Sequence, residues 1–540
     1  MKRSSLTLAA LLVAAVVAAS PAAGTSTQTP KRGGTVVVAT NSLAEPPCLG
    51  WLPVCAALPF GRAEWLDKVL ARPFAGGPYG LRHNLVERYT LTKDPFTIIF
   101  HIRHQARWSD GVPISAGDFV FAYKTLLNHG EVTADDPLRT ALRRVHAVDA
   151  KTVRFVFRAP YGDWRLLLNF PPLPQHVLRG EDLASKNLWR DRIDNPRTGE
   201  PIGSGPFLVR RWERGEQLTL VRNPRYWGRH TAYLERVVLR FVRGVDTDQA
   251  LRSGEFDLGV VGPPSPELKG DPRFTMLPTQ FGAWEHYEIR VGPGGHPALK
   301  KALVRRALAY GIDRVALVRA LFGNAAPPVL DNTIYLTSER SYEPHWSRYR
   351  YRPVEARRLL EQAGCSRGSD GIHSCAGERL RLRFVTTAAV PLRQRNLEVV
   401  KTQLRRAGVE VETAYAPNVQ LLGTVLPSGN FDVALFAYTK AVPEEAFSPY
   451  SCGNTVSGYC SRLVNADLDQ LDRIVEPARR VVVANRIDRR LAADVPALPL
   501  FQSPLTYVVR THLHGVVPNG YGTLTTGGSL WNAENWWLER

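Results

Sequence analysis

The sequence predicts an α/β protein with more than one domain, on three observations. Its 540 residues exceed what one hydrophobic core usually holds, so two or three domains are expected. Thr35-Val36-Val37-Val38-Ala39-Thr40 is a continuous run rich in β-branched residues, the pattern of a strand covered on both faces. Later, Leu380, Leu382 and Phe384 alternate with arginines as a strand, and Leu397, Val400 and Leu404 mark a helical stripe. Gly408 ends that helix, and Val409 and Val411 open a second strand, completing a βαβ unit.

The chain opens with Met1-Lys2-Arg3, a mostly apolar run from Leu6 to Ala19, and small residues around Ser20 to Gly24. This predicts a secretory signal peptide over 1–24, followed by a flexible segment over 25–30. The run has 14 residues, too few for a stable membrane anchor. No Cys follows it, so the expected product is secreted across the cytoplasmic membrane, to the periplasm or envelope exterior, and is not a lipoprotein.

Export makes the six cysteines legible. They form three local pairs, and closure within each pair predicts disulfides Cys48–Cys55, Cys365–Cys375 and Cys452–Cys460. No Cys-x-x-Cys spacing supports zinc. The net charge is +19, and its arginines are spread over the chain rather than gathered in a tail. With an export signal and no recognition motif, this argues against nucleic acid and for a solvated basic surface with weak attraction to anionic lipids.

Along the chain, Ile98, Phe100 and Ile102 share one strand face, and Asp110-Gly111 with Pro113 makes a turn. Ser115 and Asp118 then open a helix. Gly205-Pro206-Phe207 leads into a hairpin that ends at Arg222-Asn223-Pro224-Arg225-Tyr226-Trp227. Val304, Leu308 and Gly311 line a helix face, and Asp313 caps the next helix. Pro353 starts and Gly364 ends another helix. Phe431 to Phe436 reads as a buried strand, as does Asp494 to Leu500, and the tail carries Trp531, Trp536 and Trp537.

These segments together, from Gly33-Gly34-Thr35 to Asp494-Val495-Pro496-Ala497-Leu498-Pro499-Leu500, resemble the family 5 solute-binding proteins, the dipeptide and oligopeptide receptors of ABC importers. The most specific are Trp108-Ser109-Asp110-Gly111-Val112-Pro113, Gly203-Ser204-Gly205-Pro206-Phe207 with Tyr226-Trp227, and Val304-Arg305-Arg306-Ala307 with Ile312-Asp313-Arg314. The resemblance implies a type II periplasmic-binding fold of two lobes with an additional domain. Domain I is expected to be discontinuous (31–65, 200–283 and 498–540), domain II to cover 66–199 and domain III 284–497. Thr35, Gly205 and Leu500 then share a lobe. The implied function is capture of a peptide in an interlobe cleft and delivery to a separate permease and ATPase. A nickel-chelate, sugar or other small-solute receptor of the same family is the alternative. A monomer is expected, with neither cofactor nor metal.

A secreted enzyme is the more distant alternative. There is no Gly-x-Ser-x-Gly elbow, His-Glu-x-x-His pair, phosphate-cradling loop or dinucleotide fingerprint, so no enzyme is expected. Ligands of open α/β sheets sit beyond the carboxyl ends of strands, which points to Asn41, Ser42 and Glu45 after the first strand, and to Tyr438 and Thr439 after the strand near Phe436. Tyr438 matches an aromatic of the family. Where its peptide binders place an Asp for the α-amino group, this chain has Ala441, and Glu444 and Glu445 are the nearest acids.

Overall fold

The computed structural model describes residues 29–41, 63–128, 136–181, 192–242, 247–388, 390–446, 448–453, 456–521 and 528–539. The expectations for 1–24 and most of 25–30, for Ser42 and Glu45, and for Cys48 and Cys55 lie outside these residues.

A ten-stranded sheet forms the spine. From one edge to the other its strands are Glu410–Ala416, Arg381–Thr387, Val433–Thr439, Phe274–Ile289, Ala497–Arg510, Leu258–Val261, Thr35–Asn41, Arg236–Val242, Gln217–Arg222 and Phe207–Glu213. The βαβ reading corresponds to parallel strands Arg381–Thr387 and Glu410–Ala416 joined by helix Pro391–Arg406, whose Leu397, Val400 and Leu404 are buried. The hairpin corresponds to antiparallel Phe207–Glu213 and Gln217–Arg222.

Two strands, Phe274–Ile289 with 16 residues and Ala497–Arg510 with 14, are long enough to serve both lobes. Their pairing breaks register between Gln280 and Trp284. Tyr287 and Ile289 beyond the break belong to one core, together with Leu498, Leu500, Phe501 and the βαβ unit. Tyr507 and Val509, on the other side of the break, pack in the other core with Val36, Val38 and Phe207. Leu500 therefore packs with the core of the βαβ unit rather than with Val36 and Phe207. The sequence marks where this strand begins, whereas the chain changes lobes in mid-strand.

The bulged middle is closed by backbone contacts. The Gly282 amide donates to the Gly520 carbonyl at 2.7 Å, and the Lys440 amide to the Gly282 carbonyl at 2.7 Å. Neither glycine has room for a side chain. A Cβ on Gly282 would lie 2.8 Å from the Tyr521 ring, and one on Gly520 would lie 1.7 Å from the Gln280 carbonyl oxygen.

A smaller antiparallel sheet, Val86–Lys93, Phe96–Ile102, Thr152–Phe157 and Leu142–Asp149, packs against helix Ala116–Asn128. Ile98, Phe100 and Ile102 face inward and are buried. The helix start is built around Asp118, which accepts the Ser115 amide at 2.8 Å and the Gln175 amide at 2.9 Å. Burial pushes the Asp118 carboxyl up, against the pull of these amides. Asp313 caps helix Arg314–Phe322 by accepting the Ala316 amide at 2.9 Å. Disulfides join Cys365 to Cys375 and Cys452 to Cys460, with Cα atoms 4.1 and 4.5 Å apart.

Replacing Gly520 with Ala forces the bulge and the 519–521 segment apart. The expected cost is about 1–3 kcal/mol, the range for overpacking, seen as a lower thermal midpoint. An unchanged midpoint would show that this close approach is not required.

Candidate functional site

The register brings two strand ends toward the bulge from opposite directions. Thr35–Asn41 runs parallel to Leu258–Val261, whose Val261 faces Thr506 and, through it, Pro278. Val433–Thr439 runs the other way, and its Thr439 faces Ala283. The two carboxyl ends thus approach the same stretch of the crossing strands, separated along it by five residues, roughly 17 Å.

Tyr438 is half-buried on this surface. Its ring stacks on His286 at 4.5 Å and 12°, and leans on Trp284 at 5.7 Å and Phe436 at 5.1 Å. The period-two alternation of the paired strands puts these four rings on one face. Glu288, also buried, lies 3.3 Å from His286 and accepts the Tyr450 hydroxyl at 3.2 Å. Burial, then the Glu288 carboxylate, pushes the Tyr438 hydroxyl well above its ordinary range. Thr439, next along, falls on the opposite sheet face. Asn41 ends its strand opposite Val242.

The loop after Thr439 folds back on itself. Glu444, exposed and at φ 62°, accepts the Arg340 amide at 2.8 Å. Glu445 accepts the Ala441 amide at 2.8 Å. Burial raises the Glu445 carboxyl, with Lys440 pulling the other way.

Sequence reasoning missed the pair beside it. The Lys440 ammonium is fully buried against the Glu339 carboxylate at 2.5 Å, donates to the Ile334 carbonyl at 3.1 Å, and lies over the Tyr335 ring at 5.1 Å. Tyr521 donates to the other Glu339 oxygen at 3.1 Å. This network ties the strand end, the 330–344 segment and the C-terminal segment together. The partners are 101 residues apart, so no local spacing announces them.

A second bridge between the lobes was also missed. The Gly162 amide donates to the Asp472 carbonyl at 2.6 Å, and Asp163 pairs with Arg480 at 2.6 Å. Arg480 also donates to the carbonyls of Leu471 and Ile474. A Cβ on Gly162 would collide with the Arg480 guanidinium at 1.6 Å. Burial, then Asp163 and Asp472, pushes the Tyr161 hydroxyl up to about 12. Burial, then Glu444 and Glu339, pushes the Tyr335 hydroxyl well up, with Arg480 pulling the other way.

The model of the bacterial extracellular solute-binding proteins, family 5 (middle region), matches residues 80–458. The chain belongs to this family. It is 28% identical over 433 residues to Protein XP55 of Streptomyces lividans, covering 75% of this chain and 72% of that one. It is 25% identical over 483 residues to the oligopeptide-binding protein OppA of Mycobacterium tuberculosis, covering 86% and 79%. Among solved structures, the periplasmic EDTA-binding protein EppA superposes with a TM-score of 0.79 at 19% identity, covering 95% of this chain and 98% of EppA. The oligopeptide-binding protein AppA of Bacillus subtilis, in complex with a nonapeptide, gives 0.73 at 19% identity, with 95% and 100% coverage. The fold is that of family 5 receptors. Among the described residues no helix is long and apolar enough to cross a membrane, and no cluster of three or more His, Cys, Asp or Glu could hold a metal ion.

The Lys440–Glu339 pair yields a direct test. Lys440→Met leaves a buried carboxylate without its counter-charge and is expected to cost about 3–5 kcal/mol. Burial already raises the Glu339 carboxyl, against the pull of Lys440. A carboxyl raised in the folded state binds its proton there more readily than in the unfolded chain. The loss is therefore largest near neutral pH and shrinks as pH falls through the raised value. Chemical denaturation at pH 7 and pH 4 measures both; an equal loss at the two would rule this account out.

Proposed function

We propose that this chain is an extracytoplasmic receptor that captures peptides between its two lobes and passes them to the permease of an ABC importer. The observation that carries the reading is the approach of two strand ends, from opposite lobes, to one bulged pair of crossing strands in a family 5 chain. In open α/β sheets that is where ligands sit. The names of its relatives, oligopeptide-binding OppA and the dipeptide-binding DppE of Bacillus subtilis, support peptides as the ligand class.

In this reading, Asn41, Ser42 and Glu45 serve the first lobe, and Tyr438, Thr439 and Glu444 the second. Tyr438 offers a flat aromatic surface beside polar groups that bond a peptide backbone. The division into domains becomes 31–65 with 200–283 and 502–540, then 66–199, then 284–501, with the last boundary moved to the crossing point. Closure is set by the crossing strands and by the Asp163–Arg480 bridge. Export as a soluble monomer, through the segment 1–24, completes the proposal.

Thermal-shift screening with di- to pentapeptides tests it, with nickel–histidine and sugars as alternative ligands. A peptide at a hundred times its Kd adds about 2.7 kcal/mol of stability. Stabilisation by nickel–histidine or a sugar, and by no peptide, would reassign the ligand class. Tyr438→Ala is expected to weaken peptide binding about tenfold or more while the protein still melts cooperatively, since truncating a Tyr anchor at the centre of an interface costs about 2 kcal/mol or more.

N-acetylation probes the amine. Both carboxylates are already engaged by backbone amides, Glu444 by that of Arg340 and Glu445 by that of Ala441 in its own loop. Acetylated and free peptides are therefore expected to bind within about tenfold of one another, one charge-assisted hydrogen bond being worth more than that. A larger preference for the free amine would assign one of these carboxylates, or an acid outside the described residues, to the peptide terminus.

A further inference from the structure

The outer face of the small sheet carries a second feature, remote from the strand ends. The strands alternate, so the residues opposite buried Ile98, Val153 and Phe155 point to solvent. Arg144 faces Val156 there, and His146 faces Arg154 directly across the strand pair. With Arg143 they line an open groove of about 620 Å³ that contains no acidic residue. Three arginines and a histidine thus share this face without an acidic side chain in the groove.

Among the described residues no acidic partner offsets this. Arg143, Arg144 and Arg154 have no ion pair among the described residues. Arg154 Nε and His146 Nδ1 are buried without a hydrogen-bond partner. Burial, then Arg144 and Arg154, lowers the His146 imidazole below its ordinary value. Elsewhere on the surface the arginines are commonly matched, as Arg379 is by Asp370 and Glu410.

We propose that this groove is a phosphate-binding face that seats the small sheet on the head groups of an anionic phospholipid surface. Guanidinium forks match phosphate oxygens, and each Arg near a negatively charged membrane adds to the attraction. Two features favour lipid over a free ion. The groove is far larger than one phosphate, and Ile99 and Val156 interleave its basic groups, giving apolar contact at the level of the head groups. The chain's net charge of +19 draws it toward such a surface.

Vesicle co-sedimentation of the full chain at about 0.1 M salt tests this. Phosphatidylglycerol vesicles are expected to bind the protein and phosphatidylcholine vesicles to leave it in solution. Arg144→Ala with Arg154→Ala is expected to weaken binding about tenfold or more. Arg405→Ala with Arg462→Ala removes the same charge from exposed sites on the other lobe and is expected to change it less than about threefold. The single variants Arg144→Gln and Arg154→Gln, each expected to lose several-fold, keep the test sharp if the double variant folds poorly. Equal losses in the two double variants would reduce the effect to net charge and overturn the site. So would binding of inorganic phosphate at the groove, followed by NMR, without any binding to vesicles.

Discussion

The architecture depends on one shared element, the antiparallel pair Phe274–Ile289 and Ala497–Arg510. Each strand donates one half to each hydrophobic core, so the lobes are covalently and hydrogen-bond linked through a ladder rather than by a flexible linker. The register break between Gln280 and Trp284 interrupts that ladder in the middle. A bulge removes paired hydrogen bonds locally and bends the strand, so relative motion of the lobes concentrates there. The two strand ends that approach this point inherit the motion.

Polar chemistry around the Tyr438 loop is arranged to hold that loop's shape. Glu444 and Glu445 each bind a backbone amide, and Lys440 is sealed against Glu339 and Tyr335, with Tyr521 on the other Glu339 oxygen. An isolated buried ammonium is costly, whereas one with a carboxylate, a carbonyl and an aromatic face is compensated. The consequence is a loop fixed by its own charges, with the aromatic stack of Tyr438, His286, Trp284 and Phe436 as its rigid base. Fixed aromatic surface loses little entropy when a ligand docks on it.

Much of the fold was legible in the sequence because its signals are local. Periodicity located Ile98, Phe100 and Ile102, the stripe of Leu397, Val400 and Leu404, and the cap at Asp313. Short spacing located the pairs Cys365–Cys375 and Cys452–Cys460. What was not legible is long-range. Glu339 meets Lys440 from 101 residues away, and Asp163 meets Arg480 from 317; neither neighbourhood has a pattern that names the other. The lobe crossing was not legible for a related reason. Leu498, Leu500 and Tyr507 are all buried residues of one apolar strand, and alternation says which face each takes but not which core covers it.

The Asp163–Arg480 bridge completes the mechanical picture. Crossing strands alone define a hinge, which permits both open and closed arrangements. A second contact at another point selects between them, because it exists only when the small-sheet module lies against the 471–480 segment. Its carboxylate is about one-third exposed while its guanidinium is nearly buried and satisfied by two carbonyls of its own lobe. Opening therefore strands no buried charge on the second lobe, since Leu471 and Ile474 retain Arg480, and returns Asp163 to water. Such a contact contributes little net stability, and that suits its position: an interlobe pair that was strong without ligand would hold the receptor shut and leave no free energy for the ligand to supply.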